Sequence, residues 1–190
     1  MIRTENGEPT GMQSTQTRLL SLEDVPALTE IIQAEAVHLG RWEPKRDPGY
    51  YTLSNQRTLA KRALEAHEAG DSVPFLIVSD SDEILGRVTV SGITRGAMQS
   101  CAIGYWVRQR SLGQGYPTRA VAQAVSFAFK DLGLHRVQAE TMLENIGSQR
   151  VLEKNGFQQY GIAPQYLNID GKWRDHLMYQ VLNDAYVDEP

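Results

Sequence analysis

Residues Val107 to Arg119, V-R-Q-R-S-L-G-Q-G-Y-P-T-R, constrain the fold more than any other stretch of the chain. They follow a strand pattern with apolar residues at Ala102, Ile103, Tyr105 and Val107. They lead directly into a helical pattern with apolar residues at Val121, Ala124, Val125, Ala128, Phe129 and Leu132. A loop of this kind at a helix N-terminus aims several backbone N–H groups at one point, where the helix dipole adds partial positive charge. Pro117 suits the first helical turn, where a missing N–H costs nothing. The segment reads as a pyrophosphate cradle, with a plain strand–turn–helix junction as the alternative. It is not a Walker A loop, because no Gly-Lys-Ser/Thr follows the glycines. It is not a dinucleotide fingerprint either, which needs G-x-G-x-x-G after the first strand of a βαβ unit.

Composition narrows the class. A chain of 190 residues has room for one sizeable core and little more. Its formal net charge of −4 argues against a general nucleic-acid binder, which needs clustered Lys and Arg, and suits a cationic substrate. The single cysteine, Cys101, excludes an internal disulfide framework and a cysteine-based zinc site. The four histidines, His38, His67, His135 and His176, show no ligand spacing, so no metal is expected. No apolar run approaches membrane-spanning length and the N-terminus lacks a signal-peptide core, so a cytoplasmic protein without membrane contact is expected.

Residues 1–16 are polar, with Gly7, Pro9 and Gly11, and read as a loose arm ahead of a single domain at 17–190. A short strand is expected at Thr17 to Leu20. Ser21-Leu-Glu-Asp24 resembles a capping box that opens a helix through His38. A linker from Gly40 to Tyr50 precedes a helix over Leu53 to Ala69. Strands are expected at Val73–Ser79, Ile84–Val90 and Met98–Val107, then the long helix with Gly133 as its cap. A strand at Arg136–Met142, a short helix at Gly147–Asn155 and strands at Phe157–Ile162, Gln165–Ile169 and Trp173–Leu182 complete the chain. Asp170-Gly171 marks a hairpin between the last two. The order predicts an α/β fold with one mixed sheet and helices on both faces.

The glycine loop also matches R-x-x-G-x-G, as Arg110-Ser-Leu-Gly113-Gln-Gly115. With it stand Trp42-Glu43-Pro44, Arg46-Asp47, Gly104-Tyr105, His135-Arg136, Asn145-x-x-Ser148, Gly156-Phe157 and Ile169-Asp-Gly-Lys-Trp-Arg-Asp-His176. On these residues nearly the whole chain after residue 16 resembles the GCN5-related N-acetyltransferases (GNAT), in their RimJ/RimL branch. The resemblance is nearest the RimJ class, which acetylates the N-terminal alanine of a small-subunit ribosomal protein.

The resemblance implies the GNAT fold, with central strands splayed at Trp106–Val107 and Glu140–Leu143, and acetyl-CoA as cosubstrate. The arm of the cosubstrate would fill the splay like an extra strand, bonded by exposed edge N–H groups. Carried onto this chain, the contacts are Trp106, Val107 and Arg108 at the strand end, Arg110, Leu112, Gly113, Gln114 and Gly115 in the loop, Tyr116, Pro117 and Thr118 at the helix start, and Asn145 and Ser148. Many superfamily members carry a tyrosine four residues before the Gly-Phe pair as the acid for the leaving thiolate. This chain has Leu152 there. Similarity to RimJ/RimL-type enzymes makes Ser148 the proton donor or thiolate partner, with Asn145 holding the reacting groups. The alternative makes Asn145 a helix cap and Ser148 a solvated hydroxyl.

The base is less defined. RimL-like sequences place a glutamate just before the Tyr-Leu-Asn stretch, where this chain has Gln165, which cannot take a proton at neutral pH. Glu43, Glu140 and Asp175 are the acidic candidates, with Glu43 foremost and surface or structural roles as the alternative. Tyr105 and Trp173 read as core or wall residues, and His135 and His176 as structural. The weak base is easier to reconcile with a terminal α-amine of pKa about 7.7–8.0 than with a lysine near 10.4.

The leading expectation is therefore acetylation of a protein N-terminus, on a basic, ribosomal-protein-like chain drawn in by acidic groups. Acetylation of a small amine such as an antibiotic, amino acid or polyamine is the second reading. A non-catalytic acyl-CoA-binding regulatory module is a third, of another class. Nothing in the chain separates a monomer from a homodimer.

Overall fold

The computed structural model describes residues 16–187; the arm read at 1–16 lies, except for Gln16, outside them. In chain order come β1 (Gln16–Leu19), α1 (Val25–Ala34), α2 (Ala36–Leu39), α3 (Leu53–Glu68), β2 (Val73–Val78), β3 (Ile84–Thr94), β4 (Ser100–Val107), α4 (Tyr116–Lys130), β5 (Arg136–Met142), α5 (Ile146–Lys154), β6 (Gln158–Ile169) and β7 (Lys172–Leu182). The strands form one sheet in the order β1-β2-β3-β4-β5-β7-β6. Every neighbouring pair is antiparallel except β4 with β5. The mixed sheet with helices on both faces is the architecture expected from the order of elements.

Each face of the sheet has its own core. On one, α4 presents Ala120, Ala124 and Ala128, all fully buried and four residues apart. Small side chains at that spacing let the helix lie close on Val88, Val90 and Val137 of the strands, with Leu152 of α5 sealing the side. On the other face, Leu28, Ile31 and Ile32 of α1 and Ala60 of α3 close over Leu76, Val78 and Ile84. This second core covers only the β1–β3 side of the sheet, and leaves the face of β4, β5 and β7 to line a cleft.

The capping box forms as read: the Ser21 hydroxyl accepts from Glu23 N, and Asp24 Oδ2 accepts from Ser21 N at 2.8 Å. Arg18 clasps the Asp24 carboxylate at 2.7 Å and holds its pKa below the ordinary aspartate value. The box opens a 3-10 turn at Leu22–Asp24 before α1 begins. The helix then stops short of His38. Glu35 leaves helical geometry (φ −93°, ψ 4°), and its carboxylate accepts Gln109 N at 2.9 Å, an attachment 74 residues away in sequence.

Two further differences lie in the C-terminal hairpin. The strands expected at 157–162 and 165–169 are one strand, β6, with a register shift between Ala163 and Leu167. Gln165 sits there at φ 48°, its N–H held by Asp175 Oδ1 at 2.8 Å. Trp173, read as a core or wall residue, is 62 % exposed beside the hairpin turn. The turn itself is as predicted, with positive φ at both Asp170 (49°) and Gly171 (75°).

Candidate active site

β4 and β5 run side by side but pair only over Ser100–Ala102 with Arg136–Gln138. Beyond that point β4 stays on β3 as far as Val107 opposite Gly86, and β5 stays on β7 as far as Met142 opposite His176. Among the described residues, the facing edges from Ile103 and Ala139 onward have no strand partner. Gly86 keeps β4 tight against β3: a Cβ there would lie 2.1 Å from the Trp106 carbonyl oxygen. The result is a wedge-shaped slot whose walls carry the N–H and C=O groups of a sheet edge, the geometry that accepts an extended ligand.

At the head of the slot the chain makes a 3-10 turn at Gln109–Ser111 and enters α4. Gly113 (φ 75°) and Gly115 (φ 78°) are in the left-handed region, and Gly115 is the N-cap of α4. Among the described residues, the N–H groups of Gly113, Gln114, Gly115 and Thr118 donate to no protein oxygen. They converge at the positive end of a 15-residue helix. An added Cβ on Gly115 would meet Arg119 Nη1 at 2.8 Å, and one on Gly113 would meet nothing within 4 Å. Gln114 Nε2 donates to Arg110 O at 2.7 Å and closes the loop from inside.

Slot and loop open into a cleft of about 810 Å³. Of the residues expected to contact the cosubstrate, Trp106, Val107, Leu112, Gly113, Gly115, Pro117, Thr118, Asn145 and Ser148 line it. Arg108, Arg110, Gln114 and Tyr116 do not. Tyr116 is buried in the core under α4. Arg108 and Arg110 both turn away to Glu83, at 3.1 Å for Arg108 and as a direct ion pair for Arg110. Two arginines thus share one exposed glutamate outside the cleft lining.

Asn145 caps α5: its Oδ1 accepts Ser148 N at 3.1 Å. Ser148, one turn into the helix, is not merely solvated. Its hydroxyl lies 2.9 Å from the phenol oxygen of Tyr105, which also donates to Ser148 O at 3.2 Å. Burial pushes the Tyr105 phenol up to about 12, against a smaller opposing effect of its bond to Ser148, so the phenol stays protonated at neutral pH. Sequence reading missed Tyr105 as a polar group. An aromatic on an apolar strand carries no signal for a partner 43 residues away. Leu152 is fully buried.

The acidic candidates separate. Asp175 spends its carboxylate on the Gln165 N–H and lies outside the cleft lining. Glu43 lines the cleft, with Arg46 Nη2 at 3.5 Å from its carboxylate. Glu140 lines it from β5, on the edge of the slot itself, and accepts from Tyr166 OH at 3.2 Å. Desolvation raises the Tyr166 pKa, and the Glu140 charge adds to that rise. His176 is buried, with Nδ1 3.0 Å from the Arg174 carbonyl. Among the described residues no cluster of His, Cys, Asp and Glu is placed to hold a metal, and no helix is long and apolar enough to cross a membrane.

These features have known counterparts. Residues 17–158 match the family model described as acetyltransferase (GNAT) domain. A probable N-acetyltransferase, YjcK of Bacillus subtilis (strain 168), is 40 % identical over 139 residues, 73 % of this chain and 77 % of that one. The [ribosomal protein uS5]-alanine N-acetyltransferase of Escherichia coli (strain K12) is 32 % identical over 162 residues, 85 % of this chain and 84 % of the relative. The solved structure of Mycobacterium smegmatis RimJ in complex with CoA-disulfide superposes with a TM-score of 0.87 at 31 % identity, covering 92 % of this chain and 85 % of that one. Splayed parallel strands, a glycine loop capping the helix between them, and a matching family model together make this chain a member of the GNAT family of N-acetyltransferases.

Proposed function

We propose that the chain transfers acetyl from acetyl-CoA to the α-amine of a protein N-terminus. The observation that carries the reading is the unpaired slot between β4 and β5, closed at one end by the loop at Gly113–Gly115 and faced by Ser148 and Glu140. The N–H groups of Gly113, Gln114, Gly115 and Thr118 would hold the pyrophosphate, and the free edge of β4 at Ile103–Val107 would hold the pantetheine arm. The bound thioester supplies an activated acetyl group. Relatives named as alanine N-acetyltransferases favour a protein N-terminus over a small amine as acceptor.

In the transfer, the amine nitrogen bonds the acetyl carbon and the C–S bond breaks; nitrogen loses one proton and sulfur gains one. Ser148 donates to the leaving sulfur, and Tyr105 OH, 2.9 Å from Ser148 Oγ, then turns its one proton from Ser148 O to Ser148 Oγ. Glu140, at the slot edge, takes the proton from nitrogen directly or through water; Glu43, offset by Arg46, is the second acid within the cleft. A strong base is dispensable for an α-amine. Roughly a tenth of α-amines are neutral at pH 7, against about one lysine in two thousand.

The test is competition between peptides whose free amine is either terminal or on lysine, read by thiol release and mass spectrometry. The α-amine peptide is expected to win by at least about tenfold. Equal or better lysine acetylation would overturn the assignment. Activity on free amines alone would select the small-molecule reading, and no thiol release with any amine the non-catalytic one.

A further inference from the structure

Of the arginines and lysines that line the cleft, Arg87 is the one shielded from solvent; Arg46, Arg150 and Lys154 are exposed. Arg87 lies on β3 directly opposite Trp106, on the sheet face that α1 and α3 leave open, and it lines the cleft. Its Nε donates to Thr89 Oγ1 at 3.1 Å. Among the described residues, its guanidinium has no carboxylate within 4.0 Å, and its two terminal nitrogens make no hydrogen bond to protein. Arg46, by contrast, has Glu43 for a partner and the Tyr50 ring to lie on, at 4.7 Å. Burial lowers the Arg87 pKa, with Tyr50 and Glu43 opposing that effect at longer range. Arginine nonetheless stays charged, because its ordinary pKa is far above neutral. A half-buried cation that faces a cleft without a counter-ion is a ready partner for an anion that enters it.

We propose that Arg87 is the acceptor-side anion site: it receives a carboxylate that the acceptor carries close to its reacting amine. The inference rests on the acetyl-transfer reading of the same cleft. The slot lies beyond β4, so Arg87 on β3 is about two strand spacings, roughly 10 Å, from the reacting amine. One residue of extended chain covers about 3.5 Å, and an acidic side chain together with the arginine's own length covers the rest. The matching group is the side chain of an acidic second residue. A guanidinium holds a carboxylate through two parallel N–H···O bonds, which fixes orientation as well as affinity. A protein that is basic overall can still present such a residue beside its N-terminus.

The experiment uses two matched pairs of acceptors with the full-length enzyme. One pair is peptides beginning Ala-Glu and Ala-Gln; the other is free alanine and alaninamide, which place the carboxylate on the main chain instead. Each is assayed with wild type, Arg87→Gln and Arg87→Lys. The expected result is a preference of about 10- to 100-fold in kcat/KM for Ala-Glu over Ala-Gln, carried mainly by KM. It should collapse to within about twofold in Arg87→Gln and return in part in Arg87→Lys. A general structural role for Arg87 would lower both members of a pair together and leave their ratio unchanged. If only free alanine is acetylated and the preference over alaninamide vanishes in Arg87→Gln, the anion site stands while the protein N-terminus as acceptor falls. Equal rates within both pairs for wild type, a comparison that needs no variant, would overturn the proposal. So would a preference that survives in folded Arg87→Gln.

Discussion

The two sides of the cleft are built from different materials. The side proposed for the cosubstrate is mostly backbone: the edge of β4, the N–H groups around Gly113 and Gly115, and the first turn of α4. The side proposed for the acceptor is mostly side chain: Glu43 and Arg46 after α2, Arg87 on β3, Glu140 on β5 and Tyr166 on β6. A site made of backbone demands only that the chain follow a given path, so it persists while side chains change. A site made of side chains can be re-specified one residue at a time.

The largest effect should come where the two sides meet. Ser148→Ala removes the hydroxyl proposed to protonate the leaving sulfur, and kcat should fall by about 10²–10⁴-fold with a smaller change in KM for acetyl-CoA. Steady-state kinetics decide it, and a wild-type rate would make Ser148 a packing residue. Next is Gly115→Val, which tests whether the cosubstrate side is truly backbone-built. A β-branched residue at φ 78° is strained and meets Arg119, so CoA affinity by calorimetry should weaken by about 10- to 100-fold. Unchanged affinity in the folded variant would break the comparison.

The smallest effect should be that of Tyr105→Phe. Loss of one hydrogen bond to Ser148 should lower kcat by about tenfold. The same variant has a signature in alkaline unfolding. The folded-state pKa of Tyr105 is raised above its unfolded value near 10, to about 12. Its contribution to stability is therefore present below pH 10 and lost as pH climbs toward 12. Denaturant titrations across that window should show a shallower loss for Tyr105→Phe than for wild type. Cys101, also pushed up to about 12 by burial, accounts for part of the slope that remains.

Legibility in the sequence followed the same division. β5 has the bounds its pattern predicts, and the turn at Asp170-Gly171 and the loop before α4 were readable, because glycine spacing and apolar period report backbone path directly. What escaped were relations between distant side chains. The end of α1 at Glu35 is set by a bond to Gln109, the hydroxyl pair joins β4 to α5, and Arg110 is drawn off by Glu83. Arg87 escaped for a further reason. A charged residue in an otherwise apolar strand looks like the solvent-facing half of an alternating pattern, and only the packing of α1 and α3 shows that it faces a cleft instead.

The three residue pairs that join β4 to β5 also make the molecule mechanically divisible. Among the described residues they are the only ladder between a four-stranded leaf, β1 to β4, and a three-stranded leaf, β5 with β7 and β6, which α4 otherwise tethers across the gap. A ligand arm laid along the free edge of β4 and touching β5 would act as a stitch through that seam, lending cohesion that the polypeptide does not supply by itself. Each turnover would then tighten and slacken the same joint, so that the charged cosubstrate and the spent one leave their mark on the rigidity of the whole sheet.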